Sequence, residues 1–228
     1  QFRVKRHVFR KELSYYFSTP IAYIVIGLYW VGISLFLWVI PGEWNIIGSG
    51  YAQVDGLFHI SPWLLILLCP ALTMRLIAEE RQTGTWDLLR TLPIPLHRVV
   101  LCKYAAAWTL TAIALLPCSV HYFLVYYIAE PIGNVDGGAF SGSMLGLLFL
   151  SAAFTSIGLL ASSFTKSQIV SFILGAMSCF VLYWVTLQEH YLSMARGVLD
   201  LRDILLFLSI TILSLSMSIF VLDRIDKK

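Results

Sequence analysis

The side chains best able to do chemistry lie close together in one interior segment of this sequence, residues 74–103, between two long apolar stretches. The apolar stretch that follows carries only Glu130 and Asp136 before Lys166 is reached. Charges at this density are too costly for the bilayer interior, so we expect a loop on the solvent side. Such charges suit the docking of a partner, although a plain connection between helices is the alternative. The charged residues of the segment are Arg75, Glu79, Glu80, Arg81, Asp87, Arg90, Arg98 and Lys103.

The same segment carries the signals of a short, stiff helix. Gly84 interrupts the helix that passes through Ala78, and Thr85 is placed to cap the next helix. Asp87 falls in the first turn, where a negative charge interacts favourably with the helix dipole. Pro93 ends the helix. Its apolar face consists of Trp86, Leu88, Leu89 and Leu92. We therefore expect a rigid, two-turn projection between two membrane helices.

Outside this segment the candidate groups are isolated. His59 and His121 lie in or near apolar stretches, where each could ligate haem, relay protons, or remain a neutral imidazole hydrogen-bonded across helices. None of the cysteines belongs to a C-x-x-C pair, which favours packing roles. The cysteines are Cys69, Cys102, Cys118 and Cys179. The sequence contains no G-x-x-x-x-G-K-[ST], H-E-x-x-H or G-x-S-x-G motif, so we expect no cofactor, metal or catalytic residue in this chain.

The elements that must position these residues are apolar helices. Hydrophobic residues make up 58% of the chain and charged residues only 13%, which is typical of an integral membrane protein. Several apolar runs reach the roughly 20 residues that a helix needs to cross a bilayer. We predict a single domain, residues 1–228, with six transmembrane spans. The predicted spans are residues 21–40, 57–78, 99–128, 139–164, 167–187 and 204–222.

The basic residues predict how the chain lies in the membrane. Residues 1–20 combine basic and apolar side chains at helical spacing, which indicates an amphipathic helix in the membrane interface. A nucleic-acid-binding arm is the alternative, and we expect no nucleic-acid partner. Fourteen of the sixteen Lys and Arg residues fall on the side that holds both predicted termini and residues 74–103. By the positive-inside rule, that side is cytoplasmic.

Spans four and five carry a surface of small residues. Gly142 and Gly146 have the G-x-x-x-G spacing that allows two helices to approach closely. The surface continues through Ser156, Gly158 and Ser162. These residues are candidates for packing within the subunit, for lining a translocation path, or for a dimer interface.

Taken together, these motifs resemble the permease subunits of ABC-2 type transporters. Residues 79–93, EERQTGTWDLLRTLP, are similar to the first cytoplasmic loop of that family, and residues 196–203, RGVLDLRD, to a stretch before its last span. The resemblance is strongest to the gliding-motility-associated permease subtype GldF, through residues 44–55, 62–75 and 155–163. It covers essentially the whole chain.

The resemblance implies an all-α integral membrane fold of the type V exporter kind. Six transmembrane helices would follow the N-terminal interfacial helix, and a cytoplasmic coupling helix would lie between spans two and three, within residues 79–93, the coupling segment. The residues implied to couple to the ATPase are Glu79, Glu80, Arg81, Gly84, Thr85, Trp86, Asp87, Leu88, Leu89 and Arg90. In this interpretation Trp86, Leu88 and Leu89 anchor the contact with the ATPase.

The resemblance also implies partners. Two permease copies, as a homodimer, would each seat a separate cytoplasmic ABC ATPase, which would hold ATP and Mg²⁺. A GldG-like accessory membrane subunit with a periplasmic domain would join them in the bacterial inner membrane, in gliding motility or secretion machinery. Because the outer loops are short, a membrane scaffold that moves no solute is a second hypothesis. A membrane enzyme or haem subunit using His59 and His121 is a third.

Overall fold

The described residues form a bundle of helices. The computed structural model describes residues 2–52, 54–86, 95–197 and 200–226, and within these the chain forms helices and no strand. Helices satisfy every backbone group internally, which apolar surroundings require. Six helical stretches are long and apolar enough to cross a membrane, as predicted. They are Ala22–Val39, Asp55–Thr83, Leu96–Ile128, Gly137–Phe164, Gln168–Ala195 and Leu201–Ile225.

The N-terminal part begins with helix α1, Phe2–Ser18, followed at once by α2, Pro20–Ser34. Proline is favourable at the first position of α2 because its missing N–H would have no partner there. A π-helical turn, Leu35–Val39, extends α2. After a short helix α3, Ile46–Ser49, the second stretch starts with α4, Asp55–Thr73.

A short helix α5, Ala78–Thr83, follows α4 after a turn. The third stretch is α6, Leu96–Leu115, with α7, Cys118–Ile128. The fourth is α8, Gly137–Phe164. The fifth combines α9, Gln168–Leu182, a π-helical turn, Tyr183–Leu187, and α10, Gln188–Ala195. The last is α11, Leu201–Asp226.

Three features differ from the expected spans. The second stretch breaks after Thr73 and resumes as α5 instead of running straight to residue 78. The third breaks before Pro117, whose ring and missing N–H cannot continue a regular helix. The fifth extends to Ala195, beyond its predicted end at residue 187, and Gly197 then adopts a left-handed conformation with φ of 81°.

Helix α8 lies at the centre of the bundle and contacts α4, α6, α9, α10 and α11. Its small residues allow this packing. A Cβ atom on Gly142 would lie 2.8 Å from the Cα atom of Gly197, and one on Gly158 would collide with the Thr73 hydroxyl. These five helices therefore pack around α8 at close range.

Candidate functional site: the coupling segment

The start of the coupling segment is fixed by a serine on the fourth helical stretch. The backbone N–H groups of Ile77 and Ala78 donate to Oγ of Ser162 at 3.2 and 3.0 Å, and this hydroxyl donates to the Met74 carbonyl at 3.2 Å. The helix break leaves these backbone groups without partners in their own helix. Ser162 supplies them and so joins the start of α5 to the end of α8.

Arg81 makes a second connection between the same two elements. Its Nη1 atom donates to the backbone carbonyl of Ser163 at 2.6 Å. A charged donor strengthens such a bond. The short α5 is therefore held to α8 at its beginning and in its middle, and a displacement of one must be accommodated by the other.

A buried ion-pair cluster connects α5 with α1 and α6. Nζ of Lys103 lies 2.9 Å from Oε1 of Glu12 and 2.7 Å from Oε1 of Glu80, and Lys103 is only 1% exposed. Buried ions require close, hydrogen-bonded partners, and both contacts meet this condition. We call Lys103, Glu12 and Glu80 the Lys103 cluster. It joins α1, the coupling segment and the third helical stretch at one point.

Two tyrosines of α1 reinforce this junction. The Tyr16 hydroxyl donates to the Leu72 carbonyl at 2.7 Å, and the Tyr15 hydroxyl donates to Oε1 of Glu79 at 3.5 Å. Burial is the largest factor that raises the pKa of the Tyr16 hydroxyl, so this group stays neutral and remains a donor. Helix α1 therefore contacts both the end of α4 and the start of the coupling segment.

The turn at Gly84 is confirmed. Gly84 ends α5 in the left-handed conformation, with φ of 74°, which glycine adopts without steric cost. The Thr85 hydroxyl lies 2.9 Å from that of Thr83 and 3.4 Å from the Glu80 carbonyl. In the described part of the chain, the Thr85 hydroxyl therefore contacts residues of α5. Thr85 is already helical, so the residue before the next helix is Gly84 and not Thr85, which differs from the expected cap.

Trp86 differs from the expectation of an anchor for the ATPase. Its side chain is only 4% exposed and belongs to the hydrophobic core of the subunit. The ring therefore fixes the coupling segment to its own chain, because burying a large aromatic surface stabilises the position it occupies. Asp87, Leu88, Leu89 and Arg90 fall outside the described residues.

The two candidate histidines have ordinary aromatic and hydrogen-bonding partners. Nε1 of Trp38 donates to Nδ1 of His121 at 3.1 Å, and the Ser34 hydroxyl lies 3.4 Å from Nε2. Nδ1 therefore accepts a hydrogen bond. This agrees with one of the expectations, a neutral imidazole that is hydrogen-bonded across helices. His59 stacks on Trp44 with ring centroids 4.2 Å apart. The described residues contain no group of His, Cys, Asp and Glu that could hold a metal ion, and no cysteine forms a disulfide.

The small-residue positions are buried against helices of the same chain. Gly142 and Gly146 face Met194, Gly158 faces Thr73, and Ser162 caps α5. Ser156 is also buried, and its hydroxyl donates to the Ala153 carbonyl of its own helix at 2.7 Å. These contacts are packing within the subunit. A dimer interface at these residues would require the surrounding helices to separate.

The charge pattern and the buried junction were only partly visible in the sequence. Lys103 stands out in the sequence among the charges of residues 74–103, but nothing marks Glu12 as its partner, because Glu12 lies in a strongly basic helix, 91 residues away in sequence. The feature that could have identified Glu12 is that it is the only acidic residue among the first eighteen.

These features define a multi-pass membrane subunit in which a rigid segment leads out of the second helical stretch and is bonded to its neighbours. Residues 44–225 match the family model described as ABC-2 family transporter protein. The chain belongs to this family, whose members are membrane subunits that generally pair with a cytoplasmic ATPase. No curated protein matched the chain.

Proposed function

We propose that this chain couples ATP hydrolysis, carried out by a separate cytoplasmic ATPase, to transport or to work on a periplasmic partner. The observation that carries this proposal is the Lys103 cluster. Through it, Glu80 of the coupling segment is bonded to Lys103 of the third helical stretch, which is bonded to Glu12 of α1. A force applied to the coupling segment would therefore reach three elements together.

In this mechanism the ATPase binds the coupling segment around Leu88 and Leu89. Closure of two ATPase subunits on ATP would displace the two coupling segments together. Because Ser162 and Arg81 bind α5 to α8, the displacement would pass to the central helix of each bundle. Rigid-body motion of this kind is an established form of switching transition.

We further propose a homodimer of permease subunits in a bacterial inner membrane, with both termini and the coupling segment in the cytoplasm. The charge distribution supports this orientation, since most Lys and Arg residues would face the cytoplasm. The resemblance to GldF supports a role in gliding motility or secretion, with a GldG-like accessory subunit. ATP and Mg²⁺ would bind the partner ATPase.

The test is stimulation of ATP hydrolysis in proteoliposomes that contain the tagged chain with the ATPase that copurifies with it. Leu88→Asp with Leu89→Asp should abolish the stimulation because it removes the apolar contact. The matched control is Ile47→Asp with Ile132→Asp. Ile47 is 71% exposed and Ile132 is 70% exposed, and both lie in the predicted outer loops. Undiminished stimulation by the Leu88 and Leu89 variant would contradict the mechanism.

The scaffold hypothesis predicts a different outcome for the partner. If the complex moves no solute and does no work, an ATPase that binds but cannot hydrolyse ATP should still support its function. In the coupling mechanism the same ATPase variant should assemble with the chain and abolish function.

A further inference from the structure

A cavity of about 310 Å³ lies between α1, the end of α4 and the start of the coupling segment. This volume is within the range of about 300–1,000 Å³ that is usual for small-molecule sites. Part of its wall is apolar and includes the rings of Tyr15 and Tyr16 and the side chains of Leu72 and Leu76. Because α1 ends where the first candidate span begins, we expect the cavity to lie at the depth of lipid headgroups.

Not every charged side chain in the wall is paired with another one in the described part of the chain. Three cations and three acids line the cavity, so their formal charges cancel. Lys103 is bonded to Glu12 and Glu80 within its cluster. Arg75 forms no hydrogen bond or salt bridge with the described residues, and its Nε atom is buried without a partner there. Lys11 is likewise in no salt bridge within the described part of the chain, and its side chain also lines the cavity.

The remaining acid lies on the same wall. Glu79 accepts a long hydrogen bond of 3.5 Å from the Tyr15 hydroxyl and forms no salt bridge with the described residues. The cavity therefore presents two cations, Arg75 and Lys11, and one acid that form no salt bridge with the described residues. A guanidinium group binds phosphate through two parallel hydrogen bonds, and a carboxylate binds a primary ammonium group.

We propose that this cavity binds the headgroup of a zwitterionic membrane phospholipid. Arg75 and Lys11 hold the phosphate, and Glu79 holds a primary ammonium group. The first methylenes of the acyl chains lie against Leu72 and Leu76. A net-neutral headgroup matches a wall whose formal charges cancel, whereas an anionic headgroup would leave Glu79 facing uncompensated negative charge.

The experiment is native mass spectrometry of the delipidated full chain, titrated with phosphatidylethanolamine, phosphatidylglycerol of the same acyl chains, and acyl-free glycerophosphoethanolamine. We expect phosphatidylethanolamine to bind most tightly. Arg75→Gln should weaken its binding by about tenfold or more, because charge-assisted hydrogen bonds to the phosphate are lost. Arg202→Gln, on an exposed arginine near the start of α11, is the matched control and should leave binding unchanged.

Glu79→Gln tests the contact with the ammonium group of the headgroup. It also provides a test if Arg75→Gln does not fold. It should remove the preference for phosphatidylethanolamine over phosphatidylglycerol. Tighter binding of phosphatidylglycerol by the wild-type chain would overturn the zwitterionic assignment. If acyl-free glycerophosphoethanolamine bound as tightly as phosphatidylethanolamine, the ligand would be a soluble phosphate compound. If Arg75→Gln bound phosphatidylethanolamine as tightly as Arg202→Gln, the lipid would bind elsewhere.

Discussion

Replacing Lys103 by methionine should destabilise the subunit more than any comparable change at its surface. Methionine keeps the unbranched shape of the side chain and removes the ammonium group. Glu12 and Glu80, with side chains 10% and 19% exposed, would then face each other without the cation that lies 2.9 and 2.7 Å from their oxygens. Breaking a buried ion pair on one side costs about 3–5 kcal/mol, whereas an exposed pair contributes about 0–1 kcal/mol.

The assay is reversible unfolding of the purified chain by SDS in mixed micelles, followed by circular dichroism. A loss of about 3–5 kcal/mol corresponds to a roughly hundredfold to several-thousandfold change in the unfolding equilibrium constant. Lys166→Met is the matched control because Lys166 is exposed and in no salt bridge with the described residues. It should change the free energy of unfolding by less than about 0.5 kcal/mol.

A rescue variant separates the lost charge from the lost packing. Adding Glu12→Gln and Glu80→Gln to Lys103→Met removes both uncompensated carboxylates and should recover most of the loss, because neutral groups are far less costly to bury than ions. If Lys103→Met were no more destabilising than Lys166→Met, the cluster would not join the three elements as described. No recovery in the triple variant would assign the loss to packing.

Three further substitutions are compared by the same unfolding assay, with Gly27→Ala as a common control, since a Cβ atom there would have no neighbour within 4 Å. Gly84→Ala should cost about 1–2 kcal/mol because of the left-handed backbone. Gly142→Ala should cost about 1–3 kcal/mol through overpacking, as its Cβ atom would lie 2.8 Å from the Cα atom of Gly197. Ser162→Ala should cost about 1–3 kcal/mol, since two backbone N–H groups lose their acceptor. Losses no larger than that of Gly27→Ala would contradict each expectation.

The helical fold could be predicted from the sequence because its signals are local. Each span is a continuous apolar run of the length that a helix needs to cross a bilayer. The turn at Gly84 also has a local cause, since only glycine adopts its backbone conformation readily. The helix break at Pro117 could not be predicted from the presence of a proline alone. Membrane helices often tolerate proline, as α4 does at Pro62 and Pro70.

The connections of the coupling segment could not be predicted because they join residues far apart in sequence. Ser162 caps backbone groups 84 and 85 positions away, and Lys103 pairs with Glu12 across 91 positions. Neither periodicity nor composition carries that information. Trp86 shows the same limit: an aromatic residue in a charged loop fits either a docking surface or the subunit's own core, and burial distinguishes the two.

The central claim is that this chain is a permease subunit working with a separate ATPase. The most direct test is native mass spectrometry of the tagged chain purified in a gentle detergent from its own host. We predict a complex with two copies of the chain and two copies of a P-loop ATPase, and loss of that ATPase from the Leu88→Asp and Leu89→Asp variant. A stable complex with periplasmic or motility proteins but without an ATPase would contradict the account.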